Sequence, residues 1–513
     1  MIITALAAAV FVWFEIMKIP MNSDSACMML EAKDILSGNI FLSDRHLTGI
    51  SFLTTDLPWF TLGTAVFGVG LNAFRLTVFL MYTFMILSAG ALALYKANDK
   101  FLAYCVFLGV GAVPTVYALS NAFVHTAGFA VSFLIILAAE MYSEMPTKKR
   151  FAALFILTAL GACGDRSSLA ISVLPLIIYF LLKGAAKYKK VIFGIISGCA
   201  AGILIERLYL FIGGANLNSL SRTEFAEASD ITGNIRIYID YFLRLINARF
   251  FGKELFSLKT GVYALKILLV FAAVFVIFRC VRAAVLREKS DCAVFSLGVG
   301  FAIVSLMLVL TTMNSDLTSG RYIAYLAPFL GVVLARFSGE LRLDRKKIAA
   351  VCVLFFCLAL TGVMPHGSSF GPENTYSRLA AFLESENLTE GYAAFWDSTV
   401  VDAYSGGKVR ISPVRNGDGG VEPRKWFCKN SWYDSGNFVI VRRENADAEE
   451  QNYNYNGIFN AHLAPIEQIG KTSEKPFTFE SVIGTFGQPK EVRHFEIYDI
   501  LIYDRIEFDE KTA

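Results

Sequence analysis

Charged residues are scarce in this chain, and several common motifs are missing. Asp, Glu, Lys and Arg together make up 18% of the 513 residues, below the roughly 25% that is typical of soluble domains. The nine cysteines form no CxxC pair and show no zinc-ligand spacing, which argues against a disulfide framework or a structural zinc site. A formal net charge of +3 gives no reason to expect a nucleic-acid partner. The composition therefore excludes an ordinary soluble domain.

Long apolar runs dominate what is present, since 55% of the residues are hydrophobic. Many of these runs come close to the roughly 20 residues that a helix needs to cross a bilayer. The chain is therefore predicted to be a polytopic α-helical membrane protein. The N-terminal run lacks a basic leader and an A-x-A cleavage site, so we expect a retained first span. Eleven spans are predicted: 2–19, 72–95, 101–118, 122–142, 150–164, 168–183, 191–212, 261–279, 292–312, 321–338 and 347–364.

The distribution of basic residues predicts the topology. Lys and Arg cluster in alternate loops, as the positive-inside rule requires of cytoplasmic loops. The short apolar run 57–70 is interpreted as an interfacial or re-entrant helix, because counting it as a span would reverse every later loop. We therefore expect a multi-pass protein of the cell membrane with a cytoplasmic N-terminus, and with 20–71, 213–260 and the C-terminal part outside the cytoplasm.

The chain changes character after residue 364. The part from 365 to 513 gains charge and loses long apolar runs, so it is predicted to be a separate extracytoplasmic α/β domain beside a transmembrane domain of residues 1–364. Helices are expected at 377–387 and 398–407, and strands at 392–397, 437–443 and 496–505. In the outer loop 213–260, the stretch 235–251 is amphipathic, which is typical of a helix at the membrane interface. The alternative is that this stretch is a plain lid.

The first outer loop carries the strongest candidate residues. A helix is predicted from Asp24 to Ser37, with Ser23 as N-cap and Gly38 as stop signal. Asp24 directly follows the first span, and Asp56 stands near the other end of the loop. Two carboxylates facing one cavity can act as a general base and as a ligand for a cation or substrate. The alternative is that both are solvated loop acids or helix caps.

Three arginines and one histidine are the other candidates on the same side. Arg166, Arg207 and Arg321 come from separate spans, and arginine suits phosphate recognition through its planar fork. The alternatives are ion pairs of Arg166 with Asp165 and of Arg207 with Glu206. His125 could touch a substrate, although a lone histidine there could equally be a structural hydrogen-bonding group.

The order of these features resembles the membrane glycosyltransferases with the GT-C fold. The similarity is greatest to the family that includes the protein O-mannosyltransferases and the lipid A aminoarabinose transferases, which is glycosyltransferase family 39-like. The segments SDSACMMLEAKDILSGN (23–39) and TTDLPWFTLGTAVFG (54–68) carry the resemblance. Ser25 stands where the family usually has Glu, and Leu57 stands where it has Lys.

The resemblance implies transfer of a sugar from a polyprenyl-phosphate donor to an acceptor hydroxyl on the outer face of the membrane. The acceptor would be a cell-envelope glycan, lipid or protein. By resemblance, Asp24 matches the catalytic base and Asp56 the second loop acid, with a possible divalent cation near both. Arg166 falls in the turn where relatives often hold a lysine near the donor phosphate, and inversion at the anomeric carbon is implied. The alternative functions are a transporter or flippase of a lipid-linked sugar, and a non-catalytic membrane scaffold.

Overall fold

The computed structural model describes residues 2–17, 19–218, 223–314, 316–340, 344–361, 374–443 and 475–508. Most of these residues are helical, and a small sheet domain lies near the C-terminus. The predicted domain boundary at 364/365 falls outside the described residues, as do the last three residues of the predicted span 347–364.

Fifteen α-helices precede the C-terminal domain in the part of the chain that is described. They are α1 (Ile2–Ile16), α2 (Ser23–Leu36), α3 (Leu57–Phe67), α4 (Leu71–Tyr95), α5 (Lys100–Gly111), α6 (Val116–Ser120), α7 (Thr126–Glu144), α8 (Lys148–Gly164), α9 (Leu174–Leu182), α10 (Ala185–Gly213), α11 (Ala228–Leu245), α12 (Leu258–Val285), α13 (Cys292–Leu310), α14 (Leu326–Ser338) and α15 (Arg345–Thr361). A π-helical turn (Leu169–Val173) precedes α9, and a 3₁₀ helix (Leu317–Ile323) precedes α14.

Six helical segments are long and apolar enough to cross a membrane. They are Leu71–Tyr95, Thr126–Glu144, Ala185–Gly213, Leu258–Val285, Cys292–Leu310 and Leu317–Ser338. The chain is therefore a membrane protein by the length and composition of its helices. The other five predicted spans correspond to shorter helices, so eleven full spans are not confirmed.

The predicted span 101–118 is wrong as a single helix. The helix α5 ends at Gly111 and the chain becomes helical again only at Val116. Pro114 lies between them, and proline removes a backbone donor and clashes with the preceding turn of a helix. The local break therefore has a sequence cause that apolar composition alone does not show.

The C-terminal domain is built on a six-stranded sheet. The strands of the molecule are β1 (Arg45–Leu47), β2 (Asn216–Leu217), β3 (Glu390–Ala394), β4 (Arg410–Gly417), β5 (Gly420–Pro423), β6 (Cys428–Lys429), β7 (Phe438–Arg442), β8 (Glu491–Phe495) and β9 (Tyr498–Ile502). The sheet order is β5-β4-β3-β7-β9-β8. The strand β3 pairs in parallel with β4 and β7, and the remaining pairs are antiparallel.

Helices α16 (Thr375–Ser385), α17 (Thr399–Tyr404) and α18 (Phe479–Phe486) complete the domain. The predicted helices at 377–387 and 398–407 and the strands at 437–443 and 496–505 are confirmed in type, with ends shifted by a few residues. The strand predicted at 392–397 is only partly correct, because it ends at Ala394 and continues as a 3₁₀ turn.

A second, three-stranded sheet joins the first loop to the C-terminal domain. Its order is β2-β1-β6, and β6 belongs to the C-terminal part of the chain. Beside this sheet, the Asp34 carboxylate accepts from Arg45 at 2.6 Å and from Lys429 at 2.8 Å. Asp44 accepts from the Ser431 hydroxyl at 2.6 Å. The loop after α1 is thus fastened to the C-terminal domain.

Candidate functional site

The helix α2 is held by a capping box at its N-terminus. The Asn22 side chain accepts from the Ser25 N–H at 2.9 Å, and the Ser25 hydroxyl accepts from the Asn22 N–H at 3.1 Å. Asn22 is therefore the N-cap, and the prediction of Ser23 at that position is wrong. Ser25 fills the N3 position of this box, where its hydroxyl accepts from the N-cap N–H, so Ser25 has a local structural role there. Asp24 sits in the first turn, where the helix dipole favours an anion.

The Asp24 carboxylate is buried beside two arginines. Its Oδ2 lies 4.0 Å from Nη1 of Arg321, and its Oδ1 has no hydrogen-bond partner among the described residues. Burial raises the pKa of Asp24, while the charges of Arg321 and Arg424 act in the opposite direction. A carboxylate with a raised pKa and one oxygen that lacks a hydrogen-bond partner is a stronger proton acceptor than an ordinary solvated carboxylate.

Arg321 is positioned by the short 3₁₀ helix that precedes α14. Asp316 caps this helix by accepting from the Thr318 N–H at 2.7 Å. The Arg321 guanidinium lies 5.1 Å from the centre of the Tyr322 ring, a cation–π distance. The ring of Tyr322 is in turn 5.2 Å from the His125 ring. A line of contacts therefore runs from Asp24 through Arg321 and Tyr322 to His125.

His125 is held by a carboxylate. Its Nδ1 lies 2.9 Å from Oδ2 of Asp165, and its backbone has φ +64°, an uncommon conformation for a residue other than glycine. A Cβ at Gly128 would overlap Oδ2 of Asp165. The close approach of Asp165 to the first turn of α7 therefore depends on glycine at position 128.

Asp56 is buried and lies within electrostatic range of both His125 and Asp165. Its Oδ1 accepts from the Ala127 N–H at 3.3 Å, in the first turn of α7. Its Oδ2 has no hydrogen-bond partner within the described residues. Burial and the Asp165 charge raise the pKa of Asp56 to about 7, against the opposing effect of His125.

The loop that carries Asp56 is fixed to the end of α8. The Ser51 hydroxyl donates to the Cys163 carbonyl at 3.1 Å, and the Thr54 hydroxyl donates to the Leu160 carbonyl at 2.6 Å. Since α8 ends at Gly164, directly before Asp165, these bonds connect the loop to the segment that carries Asp165. Asp56, His125 and Asp165 are defined here as the buried triad.

Four of the six predicted site residues thus lie at one end of the helix bundle: Asp24, Asp56, Arg321 and His125. The two other arginines are placed differently. Arg166 binds Glu206 at 2.9 Å, so the alternative pairing of Arg166 with Asp165 is wrong. Arg207 is exposed on α10, and its expected partner Glu206 is engaged by Arg166.

Two residues of the site were not predicted from the sequence. One is Asp165, which was considered only as a partner for Arg166. The other is Arg424, which follows β5 in the C-terminal domain and lies within electrostatic range of Asp24. The only signal for Arg424 is local, because the segment 424–427 (RKWF) combines two cations with two aromatic rings. Nothing in that segment indicates contact with the first loop.

A second group of buried acids lies further along α2. Burial raises the pKa of Glu31 and that of Asp402 to about 7, and Arg45 opposes the rise in both. These acids lie where α2 packs on α17, away from the first turn. Within the described ranges, no group of three or more His, Cys, Asp or Glu side chains is arranged to hold a metal ion.

No known family model matches this chain, and a search of curated proteins finds no match either. The resemblance to GT-C glycosyltransferases therefore stays a prediction.

Proposed function

We propose that this protein is a membrane glycosyltransferase that moves a sugar from a polyprenyl-phosphate donor to an acceptor hydroxyl. The observation that supports this proposal best is the pairing of a buried Asp24, with one unpartnered oxygen, and Arg321 4.0 Å away. A base beside a cation is what attack by a hydroxyl on a sugar phosphate requires. The base takes the hydroxyl proton, and the cation stabilises the departing phosphate.

In this mechanism the acceptor oxygen forms a bond to the anomeric carbon as Asp24 removes its proton. The bond between the anomeric carbon and the phosphate oxygen breaks, and the polyprenyl phosphate leaves with the bonding electrons. Arg321 offers charged N–H donors to the phosphate oxygens, where negative charge develops. The proton remains on Asp24 until solvent removes it, so the carboxylate returns to its initial state.

The buried triad has a positioning role in this proposal. Asp56 accepts from the first turn of α7, and Asp165 fixes His125. His125 then supports the Tyr322 ring against which Arg321 lies. The triad thus holds Arg321 in place, and Asp56 acts through its neighbours rather than on the substrate.

The proposal also includes a topology with the site on the outer face of a cell membrane. The short connections at the other end of the bundle carry the basic residues, among them Lys96, Lys148, Lys149, Lys183 and Arg287. Their position supports a cytoplasmic location for that end under the positive-inside rule. The C-terminal domain, which packs on α2, would then lie outside the cytoplasm. Five shorter apolar helices would complete eleven passes.

The experiment is a transfer assay with the full-length protein in detergent. Radiolabelled polyprenyl-phosphate sugars are supplied with membrane extract as the source of acceptor, and release of the polyprenyl phosphate is followed. We expect one donor to be consumed with its sugar recovered in an acceptor. In a parallel liposome assay, movement of an intact donor across the bilayer without cleavage would support the transporter alternative. Neither binding nor consumption of any donor would support the scaffold alternative.

A further inference from the structure

The short segment that joins α11 to α12 carries its apolar side chains on the outside. Leu255, Phe256 and Leu258 are 73%, 96% and 85% exposed. The rings of Phe250 and Phe251 are exposed as well, with centres 4.5 Å apart. Large apolar side chains grouped in this way are uncommon on a surface that faces water, and they mark contact with a membrane or with another protein. These five residues are defined here as the apolar loop.

Two arginines that precede the apolar loop are turned towards the protein. Arg244 and Arg249 both donate to the buried carboxylate of Asp240, each at 2.7 Å. At the other end of the loop, the Thr260 hydroxyl donates to the Glu254 carbonyl at 2.6 Å. These polar groups are therefore satisfied within the chain while the aromatic rings face outward. A surface that faces lipid requires this arrangement, because lipid tails offer no hydrogen-bond partners.

The helix α12 fixes the depth of this segment relative to a membrane span. The helix begins at Leu258, and Lys266 lies eight positions further on, which is about 12 Å along the axis. Nζ of Lys266 donates to the Asn247 carbonyl at 3.4 Å. Since side chains on a helix lean towards its N-terminus, Asn247 lies beside the first turns of α12 and not beyond its end. The chain therefore leaves α11 alongside the span, before the apolar loop leads into α12.

The far end of α12 locates the bilayer independently. Arg279 and Arg282 are the first charged residues after Lys266, and charged side chains at the end of a span lie at the edge of the hydrocarbon core. A core about 30 Å thick takes roughly 20 helical residues, and this length counted back from Arg279 ends near Lys259. The apolar loop therefore lies at the opposite edge of the core, where Lys253 and Lys259 can reach lipid phosphates.

We infer that the apolar loop is a membrane anchor, whose side chains insert among the acyl chains of the leaflet at the N-terminal end of α12. The partner is the phospholipid of that leaflet. The anchor is connected to the rest of the bundle through α11, because the Asn314 side chain donates to the Asn234 carbonyl at 2.9 Å. Asn314 lies in the segment that leads into the 3₁₀ helix before α14. This inference does not depend on the proposed function.

The test measures whether lipid reaches a tryptophan placed in the apolar loop. Full-length protein is reconstituted into phosphatidylcholine liposomes with or without bromine atoms on the acyl chains, since bromine quenches tryptophan fluorescence on contact. Phe256→Trp is the test variant, and its difference from the wild type isolates the added tryptophan from the five native ones. Phe271→Trp, at an exposed position within α12, is the control for lipid contact. Asp418→Trp, at an exposed position in the C-terminal domain, is the control for water contact.

We expect brominated lipid to quench the added tryptophan in Phe256→Trp at least about half as strongly as that in Phe271→Trp, and to leave that in Asp418→Trp unchanged. Bromine near the headgroup end of the acyl chains should quench Phe256→Trp most, because the loop lies at the edge of the core. Bromine near the methyl end should quench Phe271→Trp most. If Phe256→Trp does not fold, Phe251→Trp takes its place with the same expected result.

Fluorescence of Phe256→Trp that brominated lipid leaves unchanged would overturn the inference. Iodide on both sides of the membrane then distinguishes the reasons. Strong quenching by iodide would show that the loop faces water, whereas no quenching by either agent would place the loop against a second copy of the chain or another protein. The measurement involves no sugar transfer, so its failure is distinct from a failure of the proposed function.

Discussion

Nη1 of Arg321 lies 4.0 Å from Oδ2 of Asp24, although the two residues belong to opposite ends of the membrane-associated part of the chain. The contact is close enough for strong electrostatic coupling but longer than a hydrogen bond. The charge of Arg321 therefore favours the ionised form of Asp24 and opposes the effect of burial, while Oδ1 of Asp24 has no hydrogen-bond partner among the described residues. This arrangement sets the pH dependence of the site.

The first prediction concerns the pH profile of turnover. Burial raises the pKa of Asp24 and Arg321 lowers it, and a base works only when it is deprotonated. Turnover should therefore fall as the pH drops through the pKa of Asp24 in the folded protein. Arg321→Gln removes an opposing charge, so the acid limb of the profile should move to higher pH. Initial rates of sugar transfer between pH 4.5 and 8.5 measure this shift, and an acid limb that moves to lower pH would contradict it.

The second prediction concerns stability and Asp56. Its pKa of about 7 lies above the ordinary aspartate value of 3.8, so the folded state binds this proton more tightly than the unfolded state. The contribution is favourable at low pH and is lost as the pH rises from about 4 towards 7, by an amount on the order of 4 kcal/mol. Asp56→Asn should reduce the fall in thermal stability between pH 5 and pH 8.

The measurement is the unfolding temperature in detergent as a function of pH. Asp418→Asn is the control, because Asp418 is an exposed acid paired with Lys475. If the unfolding temperature of Asp56→Asn changes with pH in parallel with that of the wild type, the pH dependence of stability does not come from protonation of Asp56.

The third prediction concerns the glycine beside the buried triad. A Cβ at Gly128 would overlap Oδ2 of Asp165, whereas a Cβ at Gly261 in α12 would meet nothing within 4 Å. Gly128→Ala should therefore separate Asp165 from His125, lowering both the unfolding temperature and turnover, the latter about tenfold or more. Gly261→Ala should be neutral or slightly stabilising, as expected of alanine in a helix. If Gly128→Ala and Gly261→Ala have the same unfolding temperature and turnover, the close approach of Asp165 to Gly128 has no role in the site.

The fourth prediction concerns the attachment of the C-terminal domain. Asp34 accepts from both Arg45 and Lys429, so Asp34→Asn should weaken the contact between the first loop and this domain by roughly 2 kcal/mol. Hydrogen exchange of α17 should increase, because this helix packs on α2, and transfer should fall because the first turn of α2 carries Asp24. Asp504→Asn, which removes an exposed pair with Lys490, is the control. If hydrogen exchange of α17 in Asp34→Asn is as slow as in the wild type, Asp34 does not fasten the first loop to the C-terminal domain.

Local sequence signals were enough to predict the parts of the site that are encoded locally. The helix at 24–37 and the acid in its first turn follow from apolar spacing and capping residues. The break between α5 and α6 also had a local cause in Pro114, but the apolar run around it obscured the signal.

The contacts that join distant segments were not predictable in this way. Arg424 reaches the first loop only because β6 pairs with β1 and Thr399 packs on α2. Likewise, Asp165 turns towards His125 rather than Arg166 because Gly128 leaves room for it and Glu206 engages the arginine. Tertiary packing decides such choices, and no spacing within one segment reveals them.

The most direct test of the central claim compares Asp24→Asn with the wild type in a single-turnover transfer assay, using the donor that the wild type consumes. Donor binding and the rate of sugar transfer are measured on the same preparation, with Asp418→Asn as the matched control. The account predicts that Asp24→Asn binds the donor at least as tightly as the wild type, while the transfer rate falls by about a thousandfold. Transfer at the wild-type rate with donor bound would contradict the assignment of Asp24 as the base.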